Sequence, residues 1–233
     1  MVSDATLGQR RLEAALASAG MSDARLIDHA LARLEPLLAP LLAPMAGASM
    51  LDFGAGRGAL SRRLAQHPGL AVHAADITAR PDDLDPGVIW HQADLNQPLP
   101  LEPGRFDLLA AVEVIEHLEN PRATFREWHR LLKPGGHLYF STPNNDSWRA
   151  IASLAIKGHF QLFTDASYPA HITALLAKDI ERILSETGFR ALGYGHVLPS
   201  RLIGSVTWSS LLPFWRVGKR TALNVSVIAQ ASR

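Results

Sequence analysis

Three groups of side chains in this 233-residue sequence could do chemistry. The first is Asp52-Phe53-Gly54-Ala55-Gly56-Arg57-Gly58, a glycine-rich turn with a carboxylate at its entry. Alternating glycines let the backbone turn tightly and let a ligand approach without meeting a Cβ. The second group is Asp76, eighteen residues beyond Gly58, and Asp94, in Ala93-Asp94-Leu95. An acid about twenty residues past such a loop can accept hydrogen bonds from both hydroxyls of a ribose. Asp94 could accept from the exocyclic amine of an adenine. The third group is Glu113-Val114-Ile115-Glu116-His117, two carboxylates and an imidazole within five residues. That set suits an acid/base site or ligation of a divalent cation.

Elements must carry these groups to one place. Ser49-Met50-Leu51 reads as a short apolar strand entering the glycine turn, and Ala59 to Leu64 leaves it with helical spacing. Ala71–Ala75 and Gly87–His91 read as the next strands, putting Asp76 and Asp94 just past their carboxyl ends. Phe106–Val112 is a nearly continuous apolar run, as expected of a central parallel strand covered on both faces, and Glu113 follows it directly. Pro121 to Leu132 reads as a helix ended by Lys133-Pro134-Gly135-Gly136, with a strand at His137–Ser141. Alternation of this kind predicts a doubly wound α/β sheet, and ligands bind such sheets at the carboxyl ends of their strands. Residues 1–45 read as a helical cap in two runs, Leu12-Leu16-Ala19 and then Leu26-Ile27-Ala30-Leu34 behind Ser22. Pro36, Pro40 and Pro44 are expected to end that cap. Residues 46–233 form the main domain. Lys178 to Thr187 reads as an amphipathic helix, and Arg190–Tyr194 and Ala222–Ala229 as the closing strands.

Composition narrows the classes. Hydrophobic residues make up 47% and the formal net charge is +1, so a sizeable core is expected and a nucleic-acid surface is not. The absence of cysteine excludes disulfides, thiolate nucleophiles and cysteine zinc sites. No signal-peptide pattern opens the sequence, and no apolar stretch reaches the roughly 18 residues of a spanning helix, so a cytoplasmic protein is expected. The acid at the loop entry weighs against a dinucleotide, since a carboxylate repels a pyrophosphate and attracts an ammonium group.

Taken together, Asp52-x-Gly54-x-Gly56-x-Gly58, Asp76, Ala93-Asp94-Leu95, Phe106-Asp107-Leu108-Leu109 and Leu132-Lys133-Pro134-Gly135-Gly136 resemble the class I S-adenosylmethionine-dependent methyltransferases. The resemblance covers roughly residues 45 to 195. It implies a Rossmann-like seven-stranded sheet whose last strand is antiparallel and lies beside the sixth. It also implies a cofactor site of Asp52, Gly54, Ala55, Gly56, Asp76, Ile77, Asp94, Leu95 and Val112. Glu113-x-x-Glu116-His117, with His171 ahead of a helix, resembles the ubiquinone-biosynthesis O-methyltransferases. Small-RNA 2′-O-methyltransferases share that pattern, and in them a magnesium ion is held by four such side chains.

Carried onto this sequence, the resemblance implies Glu116 and His117 as catalytic residues. It also implies Glu113, Glu116, His117 and His171 as ligands of Mg²⁺ or another divalent cation. A metal-free base role for His117, and a structural one, stay open at this stage. Residues 146–175 are expected to cover a small, fairly apolar acceptor that receives the methyl on oxygen. The corresponding insert of the ubiquinone-type enzymes touches the membrane. Leu202 to Trp215, with Arg216, Lys219 and Arg220, reads as a connection packing its aromatics inward or as an interfacial helix. Two alternatives remain, an RNA 2′-O-methyltransferase and a non-catalytic S-adenosylmethionine-binding regulator. The oligomeric state is not legible.

Overall fold

The computed structural model describes residues 24–42, 47–199, 201–203, 206–207 and 218–232, with Gln9 and Glu13 besides. In chain order the elements begin with α1 (Ala24–Leu42), β1 (Ala48–Phe53), α2 (Ala59–Leu64), β2 (Leu70–Asp76), β3 (Ile89–Gln92) and β4 (Phe106–Val112). A single 3₁₀ turn, Ile115–His117, follows β4 and leads to α3 (Pro121–Leu131) and β5 (Leu132–Pro143). Then come α4 (Trp148–Lys157), α5 (Ala177–Glu186), β6 (Phe189–Pro199), the short pair β7 (Arg201–Ile203) and β8 (Val206–Thr207), and β9 (Ala222–Ala231).

Seven strands form one sheet in the order β3-β2-β1-β4-β5-β9-β6. β9 is antiparallel to both its neighbours and lies between β5 and β6. The expected topology is therefore present, with the last strand inserted beside the sixth. Each central strand is buried on both faces, which is why β4 could be almost wholly apolar. One face packs α3 and α5 around Phe53, Phe125, Trp128 and Phe140. The other packs α1 and α2 around Met50, Leu60, Leu108 and Tyr139. α1 thus contributes Leu26, Ile27, Ala30, Leu34 and Leu38 to the main core.

One expected boundary fails and one strand start moves. Pro36 and Pro40 do not end α1, which runs through both to Leu42. They sit four residues apart on its exposed side, so the hydrogen bonds they remove are lost where water can replace them. The helix over Pro121–Leu131 ends ahead of Lys133-Pro134-Gly135-Gly136 as expected, but β5 begins at Leu132 and not at His137, because Leu132 already pairs with Phe106. Gly135, at φ 80°, absorbs the register shift before His137 pairs with Leu108. The first run of the cap and Ser22 lie outside the described residues. So does most of the aromatic stretch before Arg220, including Trp208, Phe214, Trp215 and Arg216.

Candidate functional site

The glycine turn is built as a self-satisfied unit at the carboxyl ends of β1 and β2. Gly54 and Ala55 both donate their N–H to Ala75 O, at 2.8 and 3.1 Å, which folds the turn across the neighbouring strand. Gly54, Gly56 and Gly58 take φ values of 79°, 54° and 73°, a region that side chains disfavour. A Cβ on Gly54 would stand 2.4 Å from Val114 Cγ2, and one on Gly58 would stand 2.6 Å from Leu84 Cδ1. At these two positions the space left by glycine is filled by the protein's own chain. Asp76 is engaged at both oxygens. Oδ2 accepts from Gly56 N–H at 2.7 Å, and Oδ1 accepts from the N–H and hydroxyl of Thr78 at 2.9 and 2.8 Å.

Asp52 is buried and accepts from Ser61 Oγ at 2.5 Å. Burial pushes its carboxyl up to about 7, the Ser61 bond opposes this, and the nearby Asp76 charge adds to it. Ile77 is half-buried just past β2, and Val112 is buried at the end of β4. Asp94 is exposed beyond β3, where its side chain accepts from Asn96 N–H at 3.0 Å, and Leu95 beside it packs partly on the core.

Across the crevice, the 3₁₀ turn after β4 brings together side chains that the sequence spacing only partly predicts. Glu116, His117 and His171 place one ligand atom each within 4.8 Å of one another. The two imidazole rings meet edge to face, with centroids 4.9 Å apart. His117 Nδ1 lies 2.8 Å from Ala170 O, and His171 Nδ1 lies 2.7 Å from Leu162 O. A carbonyl only accepts, so both Nδ1 atoms carry the proton and each Nε2 keeps a lone pair. Glu116 is 1% exposed. Its Oε2 accepts from Thr142 Oγ1 at 3.0 Å while Oε1 has no partner. Burial, and then the neighbouring Glu113, hold the Glu116 carboxyl well above its ordinary range. Burial lowers His117 to about 4, helped by His171 and opposed by the Ala170 carbonyl, so the ring is neutral at pH 7.

Glu113 does not join this cluster, which corrects the expected quartet of ligands. It adopts φ 55° and turns its carboxylate to Ser141 Oγ, 2.7 Å away, and to the Asn224 amide. Burial pushes it up to about 7, and those two hydrogen bonds oppose the shift. The trio alone fits a cation. It offers an unpaired buried carboxylate oxygen and two imidazole nitrogens whose tautomers are fixed by backbone carbonyls.

Several participants left no readable mark in the sequence. Ser61, Thr78, Ser141 and Thr142 are ordinary hydroxyls until the fold sets them against carboxylates. Asn224 reaches Glu113 across 111 positions of chain. His171 is held in place by Ile172 and Thr173, whose N–H groups both donate to Glu116 O, at 2.9 and 3.0 Å. Several of the other histidines have partners away from this cluster. His73 and His91 stack with Nδ1 to Nε2 at 2.8 Å, and His129 meets Ser232 Oγ at 3.1 Å.

A family model described as a methyltransferase domain matches residues 23–193, well over half the chain. Over 112 residues the chain is 37% identical to a protein of Pseudomonas aeruginosa named ubiquinone biosynthesis O-methyltransferase, covering 45% of this chain and 48% of that protein. A protein of the same name from Xanthomonas euvesicatoria is 38% identical over 122 residues, covering 49% and 50%. The aligned region spans about half the length of the curated relatives it matches. The fold is shared with an S-adenosylmethionine-dependent methyltransferase from Archaeoglobus fulgidus, at TM-score 0.60 and 16% identity over 88% of this chain and 94% of that one. A second such structure, from Mesorhizobium loti, aligns at TM-score 0.54 and 20% identity over 83% and 97%.

Proposed function

The chain belongs to the methyltransferase-domain family of the class I, S-adenosylmethionine-dependent type, and from that membership we propose an O-methyltransferase acting on a small, largely apolar acceptor. The observation that carries this reading is the convergence of Glu116, His117 and His171 beside the end of β4, across from the glycine turn. Asp76 would receive the ribose hydroxyls, and Asp94, Ile77 and Leu95 the adenine. The turn from Asp52 to Gly56 and Val112 would line the methionine portion.

Transfer is in line. The acceptor oxygen attacks the methyl carbon, the carbon–sulfur bond breaks, and its electron pair neutralises the sulfonium. The hydroxyl proton must leave, and a neutral imidazole with a free Nε2 can take it. Alternatively, Glu116, His117 and His171 would hold a divalent cation such as Mg²⁺ through those same nitrogens, and the cation when bound would lower the pKa of an acceptor hydroxyl. Residues 146–175 would cover the acceptor. That reading draws support from α4, whose Trp148, Ile151, Leu154 and Ile156 are exposed beside Arg220, stacked on the Trp148 ring at 5.2 Å. The same apolar face would suit a peripheral membrane contact. Among the described residues no helix is long and apolar enough to cross a membrane.

The test is release of S-adenosylhomocysteine when the full chain is given S-adenosylmethionine and fractionated metabolite extracts. Chelation should abolish release, and added magnesium or manganese should restore it in the wild type but not in His171→Ala. Release indifferent to chelator would remove the cation and leave the imidazole base. No release from any extract would overturn the enzyme reading.

A further inference from the structure

The two carboxylates that follow β4 are each met by a hydroxyl, and the two hydroxyls are neighbours on β5. Ser141 Oγ donates to Glu113 Oε1 at 2.7 Å, and Thr142 Oγ1 donates to Glu116 Oε2 at 3.0 Å. Successive side chains leave a strand on opposite faces, so one dipeptide serves both faces of the sheet. Ser141 pairs with Ser226, which meets His29 of α1. Thr142 pairs with Val225, on the face that packs α3 and α5. The same alternation gives each hydroxyl a different carboxylate.

Around Glu116 the backbone is locked and the side chain is not. Glu116 O accepts from the N–H groups of Ile172 and Thr173 at 2.9 and 3.0 Å, and His117 N–H donates to Val114 O at 2.9 Å. What remains is rotation of Glu116 about its own side-chain bonds. Thr142 opposes that rotation from a fixed place. It is 2% exposed, on a strand held between β4 and β9, so its hydroxyl cannot follow the carboxylate. With Oε2 engaged by Thr142, Oε1 is left as the bare oxygen of a carboxylate that stands with His117 and His171. A buried acceptor left bare while its twin is pinned is the arrangement of a ligand atom that has been oriented in advance.

We propose that Thr142 is a positioning residue, acting through Glu116: its hydroxyl holds Oε2 so that Oε1 is presented to a divalent cation shared with His117 and His171. The proposal rests on the reading that those three side chains hold such a cation. Hydrogen bonds that orient a ligating carboxylate are worth roughly 10- to 100-fold in metal affinity. The hydroxyl carries the effect and the methyl group of Thr142 does not. Serine can therefore stand in for it, whereas valine, which keeps the branched shape and loses the donor, cannot.

The test titrates Mn²⁺ alone into the full chain, followed by calorimetry and by loss of the free ion's electron spin resonance signal. Wild type should bind Mn²⁺ saturably, and Glu116→Gln should bind it far more weakly, which assigns the ion to this trio. Thr142→Val should bind roughly 10- to 100-fold more weakly than wild type, while Thr142→Ser stays close to it. Affinity for S-adenosylmethionine, measured on the same samples, should be the same in all. A purely structural Thr142 would lower the melting temperature of Thr142→Val and leave its Mn²⁺ affinity unchanged, and that result overturns the proposal. An equal loss in Thr142→Ser also overturns it, since the methyl group would then be what matters. Should Thr142→Val not fold, the smaller Thr142→Ala takes its place against Thr142→Ser. If wild type binds no Mn²⁺, or Glu116→Gln binds it as well as wild type, the cation reading fails and this proposal with it. If only Thr142→Val matches wild type, this proposal alone fails.

Discussion

The two halves of the crevice differ in how complete they are. At the ends of β1 and β2, Asp76 is engaged at both oxygens, Asp52 is held by Ser61, and the glycine turn is packed by Val114 and Leu84. At the end of β4 and across to β9, Glu116 and Asn224 each leave a buried polar atom unpaired. The first half is shaped before any ligand arrives, as suits a cofactor common to a whole family. The second leaves buried polar atoms bare, on the side where the proposed acceptor would bind. Preorganisation and incompleteness are thus divided along the same sheet edge.

If the halves are separable, substitutions should break one without the other. The largest effect is expected from His117→Ala. Turnover should fall roughly 10²- to 10⁴-fold, the range for a lost acid/base group, while S-adenosylmethionine affinity measured by calorimetry stays unchanged. A comparable loss of cofactor affinity in that variant would merge the two halves. Next comes Asp76→Ala, which removes the acceptor of Gly56 N–H and of Thr78 along with the proposed ribose contact. Affinity for S-adenosylmethionine should drop about 100-fold, as for two hydrogen bonds to a charged group. An unchanged affinity would refute the cofactor assignment.

The smallest effect concerns Asp52. Its carboxyl titrates near 7 in the folded chain, chiefly because it is buried. An unfolded aspartate titrates at about 4. Between those values the folded chain binds the extra proton, so stability falls as pH rises through the window and levels off above it. Asp52→Asn should flatten this slope, changing the drop in melting temperature from pH 4 to pH 7 by on the order of a few degrees. A slope identical to that of the wild type would show that Asp52 is not the group responsible.

Much of the fold was legible because local pattern and burial agree. Phe106–Val112 reads as a doubly covered strand and is one, and Gly54 and Gly58 read as turn glycines and take left-handed φ values. The reading failed where a local signal had to be weighed against a distant partner. Pro36 and Pro40 signal a helix end, yet α1 continues because its apolar face is held by the sheet. The strand reads as starting at His137, yet pairing with Phe106 starts β5 at Leu132. Glu113 looks like a ligand from its spacing to Glu116, and its left-handed backbone turns it away to Ser141 and Asn224.

The sequence by itself determined the parts whose chemistry is local: a glycine turn that must bend sharply, acids at strand ends, and a carboxylate–imidazole pair within one turn. Each depends on residues only a few positions apart, whose relative placement the backbone fixes with little help. Tertiary structure alone decided which of the carboxylates meet a hydroxyl and which are left bare. It brought His171 beside His117, tied the Glu113 carboxylate to Ser141 and Asn224, and set Arg33 against β6. Those outcomes depend on how strands far apart in sequence pair and on which face a helix turns inward, and no short segment encodes either.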